Sequence, residues 1–206
     1  MAIKPILFNT EMVRAILDGR KSCTRRLVKT RRKDACGFYV TKKADGTFSG
    51  IYEYDENESM FDNPLMPPYQ PGDILYVRET WHKYIKRVGE GKSCHLVEFY
   101  GYKASIANSE DADEPWKPSI HMPKEAARIW IKVTNVRVER LQEMWASDVP
   151  KEGIYFNKPT TADKMLMAFA KLWNSTIKKS DLDSYGWNAN PWVWVIEFER
   201  CEKPET

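Results

Sequence analysis

The sequence predicts an α+β fold, in which a small mixed β-barrel is flanked by helices. Several short stretches of the 206 residues have the pattern of strands, while few have the pattern of helices. Many short strands with few helices favour a small barrel with helices packed beside it. The length is that of one ordinary domain, so we expect residues 1–206 to form a single unit.

The first predicted helix follows a short apolar segment at the N-terminus. Asn9 or Thr10 can cap its first turn, and Gly19 is suited to its C-terminal end. Between these positions, apolar side chains recur at helical spacing and are expected to face the core. They are Met12, Val13, Ile16 and Leu17.

Strand patterns follow at intervals along the rest of the chain. Residues 37–40 and 50–52 can pair as a hairpin across the Asp45-Gly46 turn. A Pro-Gly-Asp turn precedes another strand candidate at residues 74–77. The remaining strand candidates are residues 96–100, 129–138 and 192–198.

Two more helices are expected in the C-terminal part. Residues 141–154 contain a short helix, and Thr161 can cap the longest helix of the chain. This longest helix has one apolar stripe, which is typical of packing against a core. Its members are Met165, Ala168, Phe169 and Leu172.

Composition excludes several functional classes. No apolar run is long enough to span a membrane and the N-terminus does not have a secretory signal, so we expect a cytoplasmic protein with no membrane partner. The four cysteines and three histidines lack ligand spacing, which indicates free thiols, and we assign neither metal nor cofactor. The formal net charge of +3 argues weakly against bulk binding of nucleic acid.

Residues 20–33 form a local basic segment that contains no acid. One interpretation is a patch that guides RNA or another phosphate-bearing ligand. The other is a solvated loop that pairs with the acidic segments at 53–62 and 110–114. The cations are Arg20, Lys21, Arg25, Arg26, Lys29, Arg31, Arg32 and Lys33.

The most informative motif, Gly-Arg-Lys-Ser-Cys-Thr-Arg-Arg at residues 19–26, overlaps this segment. It places Lys21 three residues before Thr24, with a further cation at Arg26. A lysine can activate a hydroxyl nucleophile when its pKa is lowered, and the neighbouring arginines are expected to lower it. The same spacing also fits an ordinary basic segment at a helix C-terminus, where cations interact favourably with the macrodipole.

The helix, the Gly-Arg-Lys-x-x-Thr-x-Arg motif and a later Pro-Gly-Asp-Ile-Leu strand opening together resemble an ASCH domain, a family of the PUA-like β-barrels. Relative to compact ASCH proteins, the resemblance implies two insertions, at about 30–68 and 82–125. The layout is also similar to that of longer ASCH-containing proteins encoded by phages and prophages. The similarity covers somewhat under half of the chain, in four blocks at 3–26, 71–77, about 129–154 and 192–200.

Small bacterial ASCH enzymes with this motif hydrolyse N(4)-acetylcytidine to cytidine and acetate. The resemblance therefore implies an amidohydrolase that acts on a modified nucleoside, with Thr24 as nucleophile, Lys21 as activating base and Glu152 as proton carrier. In another arrangement Lys21 stays charged and stabilises the oxyanion. We expect the three side chains to converge in one cleft.

Four further residues are candidates for contacting the substrate. Arg26 matches a further cation of the motif, and Tyr76 and Trp81 are suited to stacking on a pyrimidine ring. Arg78 can meet a ribose or phosphate oxygen. Each aromatic residue is also suited to core packing, and Arg78 to an exposed strand position.

Two other functions fit the same pattern. PUA-like barrels often bind RNA without catalysis, and a ribonuclease can be built on the same cleft. The hydroxyl of Thr24 between cations favours an enzyme, whereas the basic residues at 25–33 favour an RNA partner.

Overall fold

The computed structural model describes residues 2–46, 48–105 and 115–205. In this part of the chain the strands are β1 (Ile3–Leu7), β2 (Cys23–Leu27), β3 (Gly37–Lys42), β4 (Phe48–Tyr54), β5 (Ile74–Arg78), β6 (Trp81–Val88), β7 (His95–Tyr102), β8 (Trp130–Arg140) and β9 (Trp192–Cys201). The α-helices are α1 (Thr10–Leu17), α2 (Ala162–Ser175) and α3 (Leu182–Tyr185).

The main sheet has five strands in the order β1-β5-β8-β9-β2. β1 and β5 are parallel, while the other neighbours are antiparallel. The two outer strands are linked by a side chain, because Nη2 of Arg26 on β2 donates to the backbone carbonyl of Leu7 on β1 at 2.9 Å. The predicted α+β class, with a small mixed β-structure flanked by helices, is confirmed.

The N-terminal helix agrees with its sequence signals. Oδ1 of Asn9 accepts a hydrogen bond from the backbone N–H of Met12 at 2.9 Å, so Asn9 is the N-cap. Gly19 directly follows the C-cap, Asp18, as expected. The predicted strands at 74–77, 129–138 and 192–198 correspond to β5, β8 and β9.

Two hairpins extend from the main sheet. β3 and β4 pair antiparallel around the predicted Asp45-Gly46 turn. β6 and β7 form a longer two-stranded ribbon, from Trp81 opposite Tyr102 to Val88 opposite His95. β7 contains the predicted strand at 96–100, whereas its partner β6 is an additional strand.

The prediction of a short helix within residues 141–154 is wrong. Three separate 3₁₀ turns occupy this region, at Leu141–Glu143, Ala146–Asp148 and Pro150–Glu152. Pro150 has no N–H to continue a helical ladder, and Gly153 has a φ of +97°, which ends the last turn.

Three clusters of buried side chains stabilise the fold by removing apolar surface from water. The first core cluster lies between α1 and one face of the main sheet, and includes Phe8, Val13, Leu75, Ile131 and Ile196. The second packs α2 against the other face, and includes Cys23, Leu141, Phe169, Trp173 and Val195. The third lies beside β6, and includes Ile74, Trp81, Met122 and Trp130.

The apolar stripe predicted for the longest helix is displaced by part of a turn. Phe169 and Trp173 are the buried residues of α2, whereas Ala168 and Leu172 line a cavity. Of the helices in the described ranges, none combines the length and apolarity that crossing a bilayer requires.

Candidate active site

Lys21 and Glu152 form a buried ion pair. Nζ of Lys21 lies 3.1 Å from Oε2 of Glu152, and the two residues are only 3% and 4% exposed. The same nitrogen also donates to the backbone carbonyls of Cys23 and Glu152, both at 2.8 Å. An ammonium has three N–H donors, so these three acceptors satisfy Lys21 in its charged form.

The chain turns sharply after α1 to place Lys21. The backbone N–H groups of Arg20 and Lys21 both donate to the carbonyl of Ala15, at 2.8 and 3.0 Å. This bifurcated contact directs the residues that follow into β2, and it turns the Lys21 side chain away from solvent.

The turn that carries Glu152 packs directly against this helix end. The backbone N–H of Ser22 donates to the carbonyl of Lys151 at 3.0 Å. A Cβ on Gly153 would lie only 2.9 Å from the Cβ of Ala15, so the missing side chain permits the close approach. A local backbone requirement therefore helps to bring Glu152 to Lys21.

Burial lowers the pKa of the Lys21 ammonium, and the carboxylate of Glu152 opposes that change. Arg26 adds a smaller lowering. The neighbouring arginines were expected to lower this pKa; Arg26 does so, but removal from water has the larger effect. Arg20 is turned away and pairs with Asp18 at 2.8 Å.

Arg25, which the sequence did not assign to the site, holds the second oxygen of the same carboxylate. Its Nη1 lies 2.9 Å from Oε1 of Glu152, and its Nε and Nη2 lie 2.9 and 2.7 Å from Oε1 of Glu139. Burial alone would lower the pKa of Arg25, but the carboxylates of Glu152 and Glu139 raise it overall. Arg25 therefore fixes the orientation of Glu152.

Thr24 lies on β2 and faces the opposite side of the sheet from Arg25. Side chains alternate along a strand, and the guanidinium of Arg25 lies 5.9 Å from the ring of Phe169 on α2. Thr24 is paired with Ile196, which belongs to the first core cluster on the α1 side. It is 3% exposed, and none of the hydrogen bonds in the described chain involves its hydroxyl.

Of the three residues expected to converge in one cleft, the structure places the side chains of Lys21 and Glu152 in contact. The carboxylate of Glu152 contacts Arg25 on the α2 side of β2, whereas Thr24 faces the α1 side. Lys21 lies between these two sides, because its Nζ bonds to Glu152 and is also 5.4 Å from the ring of Phe8.

Phe8 is a second residue that sequence reasoning missed. Its ring lies 5.4 Å from Nζ of Lys21 and 5.5 Å from the guanidinium of Arg26. Two cations therefore share one aromatic neighbour on the Thr24 side of β2. Burial lowers the pKa of Arg26, an effect that Tyr69 and Glu152 oppose.

The other predicted substrate contacts lie elsewhere. Trp81 is a buried member of the third core cluster, and the ring of Tyr76 packs 6.0 Å from that of Trp130 in the same region. Nε of Arg78 donates to the carbonyl of Met122 at 2.7 Å. Of the four residues proposed to contact substrate, Arg26 shares the ring of Phe8 with Lys21, and the backbone carbonyl of Arg78 accepts from the N–H of Phe8 at 3.2 Å.

Most cations of the basic segment have partners within the protein. Lys21 and Arg25 are buried, and Arg20, Arg26, Arg31 and Arg32 donate to protein acceptors, while Lys29 and Lys33 are exposed. Glu53 accepts from the backbone N–H of Arg31 and of Arg32, so part of the predicted pairing with the acids at 53–62 is present. The other acidic segment, 110–114, lies outside the described residues.

A cavity of about 400 Å³ opens beside Glu152, between α1, the turn at Gly153 and α2. Its size is within the range of small-molecule sites. The residues that line it are Asn9, Glu11, Met12, Glu152, Gly153, Ile154, Ala168, Lys171, Leu172 and Ser175. Within the described ranges, no group of three or more His, Cys, Asp or Glu side chains is arranged to hold a metal ion.

Comparison with solved structures finds two chains that are similar over nearly the whole of this one. A crystal structure of the hypothetical protein PH0355 is 14% identical, with a TM-score of 0.37, and the match covers 98% of this chain and 100% of that one. An ASCH domain from Lactobacillus crispatus JV V101 is 10% identical, with a TM-score of 0.40 and coverage of 97% and 79%. No protein-family model matches the chain, and comparison with curated proteins finds no significant match.

Proposed function

We propose that the protein is an amidohydrolase that removes the acetyl group of N(4)-acetylcytidine or a related acylated nucleoside. The observation that carries the proposal is the buried ion pair between Lys21 and Glu152. The resemblance of residues 19–26 to the catalytic motif of small ASCH enzymes supplies the substrate class. The cavity beside Glu152 is large enough for a nucleoside.

In this proposal one proton is shared between Lys21 and Glu152. Burial away from water destabilises the charged forms of both groups. The proton can therefore move from the Lys21 ammonium to the Glu152 carboxylate, which leaves both groups neutral. Neutral Lys21 can then accept the proton of the Thr24 hydroxyl, which makes the threonine oxygen nucleophilic. Arg25 keeps the Glu152 carboxylate in place while the proton moves.

The bonds and protons balance over two steps. The oxygen of Thr24 attacks the acetyl carbon, and the bond from that carbon to N4 breaks as N4 takes a proton from the Lys21 ammonium, which regains it from Glu152. This releases cytidine and leaves an acetyl ester on Thr24. Water then attacks the ester, one of its protons returns to the oxygen of Thr24, the other is released to solvent, and acetate leaves.

The direct test is to incubate the purified protein with N(4)-acetylcytidine and to quantify cytidine and acetate by chromatography. Glu152→Gln keeps the shape of the side chain but cannot carry the proton, so turnover should fall by about two to four orders of magnitude. Glu143→Gln is the matched control, since Glu143 lies in a nearby turn and caps it from an exposed position. Absence of cytidine from wild-type incubations would contradict the proposal.

A further inference from the structure

One face of the β6–β7 ribbon carries a continuous row of aromatic rings. We define this row, the aromatic ladder, as Trp116, His82, Tyr84 and Phe99. The rings of His82 and Trp116 are 4.6 Å apart, those of His82 and Tyr84 are 5.3 Å apart, and those of Tyr84 and Phe99 are stacked at 5.8 Å. The ladder runs from the base of the ribbon outward, since Trp116 and His82 lie at its inner end.

The inner end of the ladder is held in place by a close backbone approach. His82 is paired across the ribbon with Gly101, and a Cβ at Gly101 would lie 1.9 Å from Nε2 of His82. Only glycine therefore lets the imidazole lie flat against the opposite strand. His82 is 5% exposed, whereas Phe99 is 36% exposed, so a fixed inner end supports an open outer end.

The two faces of the ribbon differ in whether they contain a carboxylate. On the ladder face, the register brings together His82, Tyr84, Lys86, Val88, His95, Val97, Phe99 and Gly101, none of which is acidic. Nζ of Lys86 lies 5.3 Å from the ring of Tyr84, which puts a cation at the outer end of the ladder. The opposite face contains Lys83, Arg87 and Glu98, of which Lys83 and Glu98 form an ion pair.

From this arrangement we infer that the ladder face of the ribbon binds single-stranded nucleic acid. Exposed aromatic rings in a row accept successive bases by stacking, and neighbouring cations contact the phosphates. Tyr84 and Phe99 provide the stacking surface, and Lys86 provides the phosphate contact. The ladder face has no carboxylate that would repel a polyanion, whereas the opposite face contains Glu98.

This surface is separate from the buried Lys21–Glu152 pair and from the basic segment at 20–33. Its residues lie on β6, on β7 and at Trp116, while those of the candidate active site lie on β2, just before it and in the turns before α2. The inference therefore does not depend on the proposed acetylcytidine hydrolysis, and the two can fail independently.

The test is fluorescence anisotropy with labelled oligouridine and oligodeoxythymidine of about 20 nucleotides. We expect wild-type protein to bind both, and comparing the two shows whether the sugar contributes. Tyr84→Ala with Phe99→Ala should weaken binding by about tenfold or more for each ring removed. The matched control is Ile85→Ala with Leu96→Ala, which removes two exposed side chains from the opposite face of the same strands.

The salt dependence gives a second measurement. Lys86→Ala should reduce the slope of log affinity against log salt concentration by about one, whereas Ile85→Ala should leave it unchanged. Circular dichroism and acetylcytidine turnover of the Tyr84/Phe99 variant show whether the rest of the molecule is intact.

Three outcomes would overturn the inference. The first is that wild-type protein does not bind the oligonucleotides at low salt. The second is that the variants of the two faces bind them with equal affinity. The third is that wild-type protein sediments as a dimer, and that the Tyr84/Phe99 variant sediments as a monomer with unchanged affinity for the oligonucleotides. The last result would assign the ladder to contact with a second copy of the chain.

Discussion

Lys21 and Glu152 are 131 positions apart in the sequence, and their charged groups lie 3.1 Å apart in the buried part of the protein. Burying either charge without a partner of opposite charge would cost free energy of folding. The presence of each group therefore makes it possible to bury the other. The pair also ties the start of β2 to the turn before α2. It therefore links the chemistry proposed here to the stability of the fold.

The first prediction concerns Lys21 itself. Lys21→Met should lower the rate of acetylcytidine hydrolysis by about two to four orders of magnitude, because it removes the proposed base while keeping an apolar chain of similar length. Lys29→Met is the matched control, since Lys29 is exposed in the same segment. Similar small effects of both changes would mean that the segment only attracts the substrate.

The second prediction separates two roles of Thr24. If its oxygen is the nucleophile, Thr24→Val should abolish turnover at saturating substrate while changing the shape little, and Thr24→Ser should retain part of the activity. If Thr24 only donates a hydrogen bond, the valine variant should lose roughly fivefold, which corresponds to about 1 kcal/mol. Substantial turnover by Thr24→Val would indicate that a water molecule, and not Thr24, attacks the acetyl carbon.

The third prediction concerns Arg25 and stability. Arg25→Met leaves Glu139 with Arg137 as its remaining guanidinium partner and removes one of the two cationic partners of Glu152. The free energy of unfolding should fall by about 3–5 kcal/mol, as measured by urea denaturation. Lys151→Met removes an exposed ion pair with Asp148 and should cost less than about 1 kcal/mol. Equal midpoints for the two variants would show that Arg25 does not stabilise the buried carboxylates.

The fourth prediction concerns pH. Turnover requires the one proton that Lys21 and Glu152 share, so it should fall as pH rises through the pKa of Lys21. Because burial lowers this pKa below the ordinary value of 10.5, the fall should begin at lower pH than for an exposed lysine. Arg26→Gln removes a cation that lowers the pKa, so the fall should move to higher pH. The measurement is a pH–rate profile of the wild type and of Arg26→Gln at saturating substrate. A fall in turnover that begins at lower pH in Arg26→Gln would contradict the prediction.

The fifth prediction concerns Cys23. Burial raises the pKa of its thiol to about 12, with a further contribution from Glu152, so almost no thiolate forms near neutral pH. Iodoacetamide at about pH 8 should label the exposed Cys36 and Cys94 in the native protein, and Cys23 only after denaturation. Mass spectrometry of the labelled peptides is the measurement, and rapid native labelling of Cys23 would contradict the buried position.

Several elements could be predicted because their signals are local. Asn9 caps α1 through a hydrogen bond to a residue only three positions away, and the Asp45-Gly46 turn lies between two adjacent strands. Glu152 was assigned only through a family resemblance, since nothing in its own neighbourhood marks it as buried. Arg25 was missed because its three carboxylate partners, Glu139, Asp148 and Glu152, are more than a hundred positions away.

By itself, the sequence determined the α+β class, the first helix with its caps, the β3–β4 hairpin and the strands β5, β8 and β9. Periodicity, caps and turns act over a few residues, so they can be interpreted without knowing the rest of the chain.

Only the tertiary structure decided which side of β2 carries Thr24 and which carries Arg25. It also decided that Tyr76 and Trp81 pack in a different cluster from the candidate site, and that Lys21 meets Glu152. These features depend on strand register and on contacts between distant segments, which are set by packing the whole chain and not by local spacing.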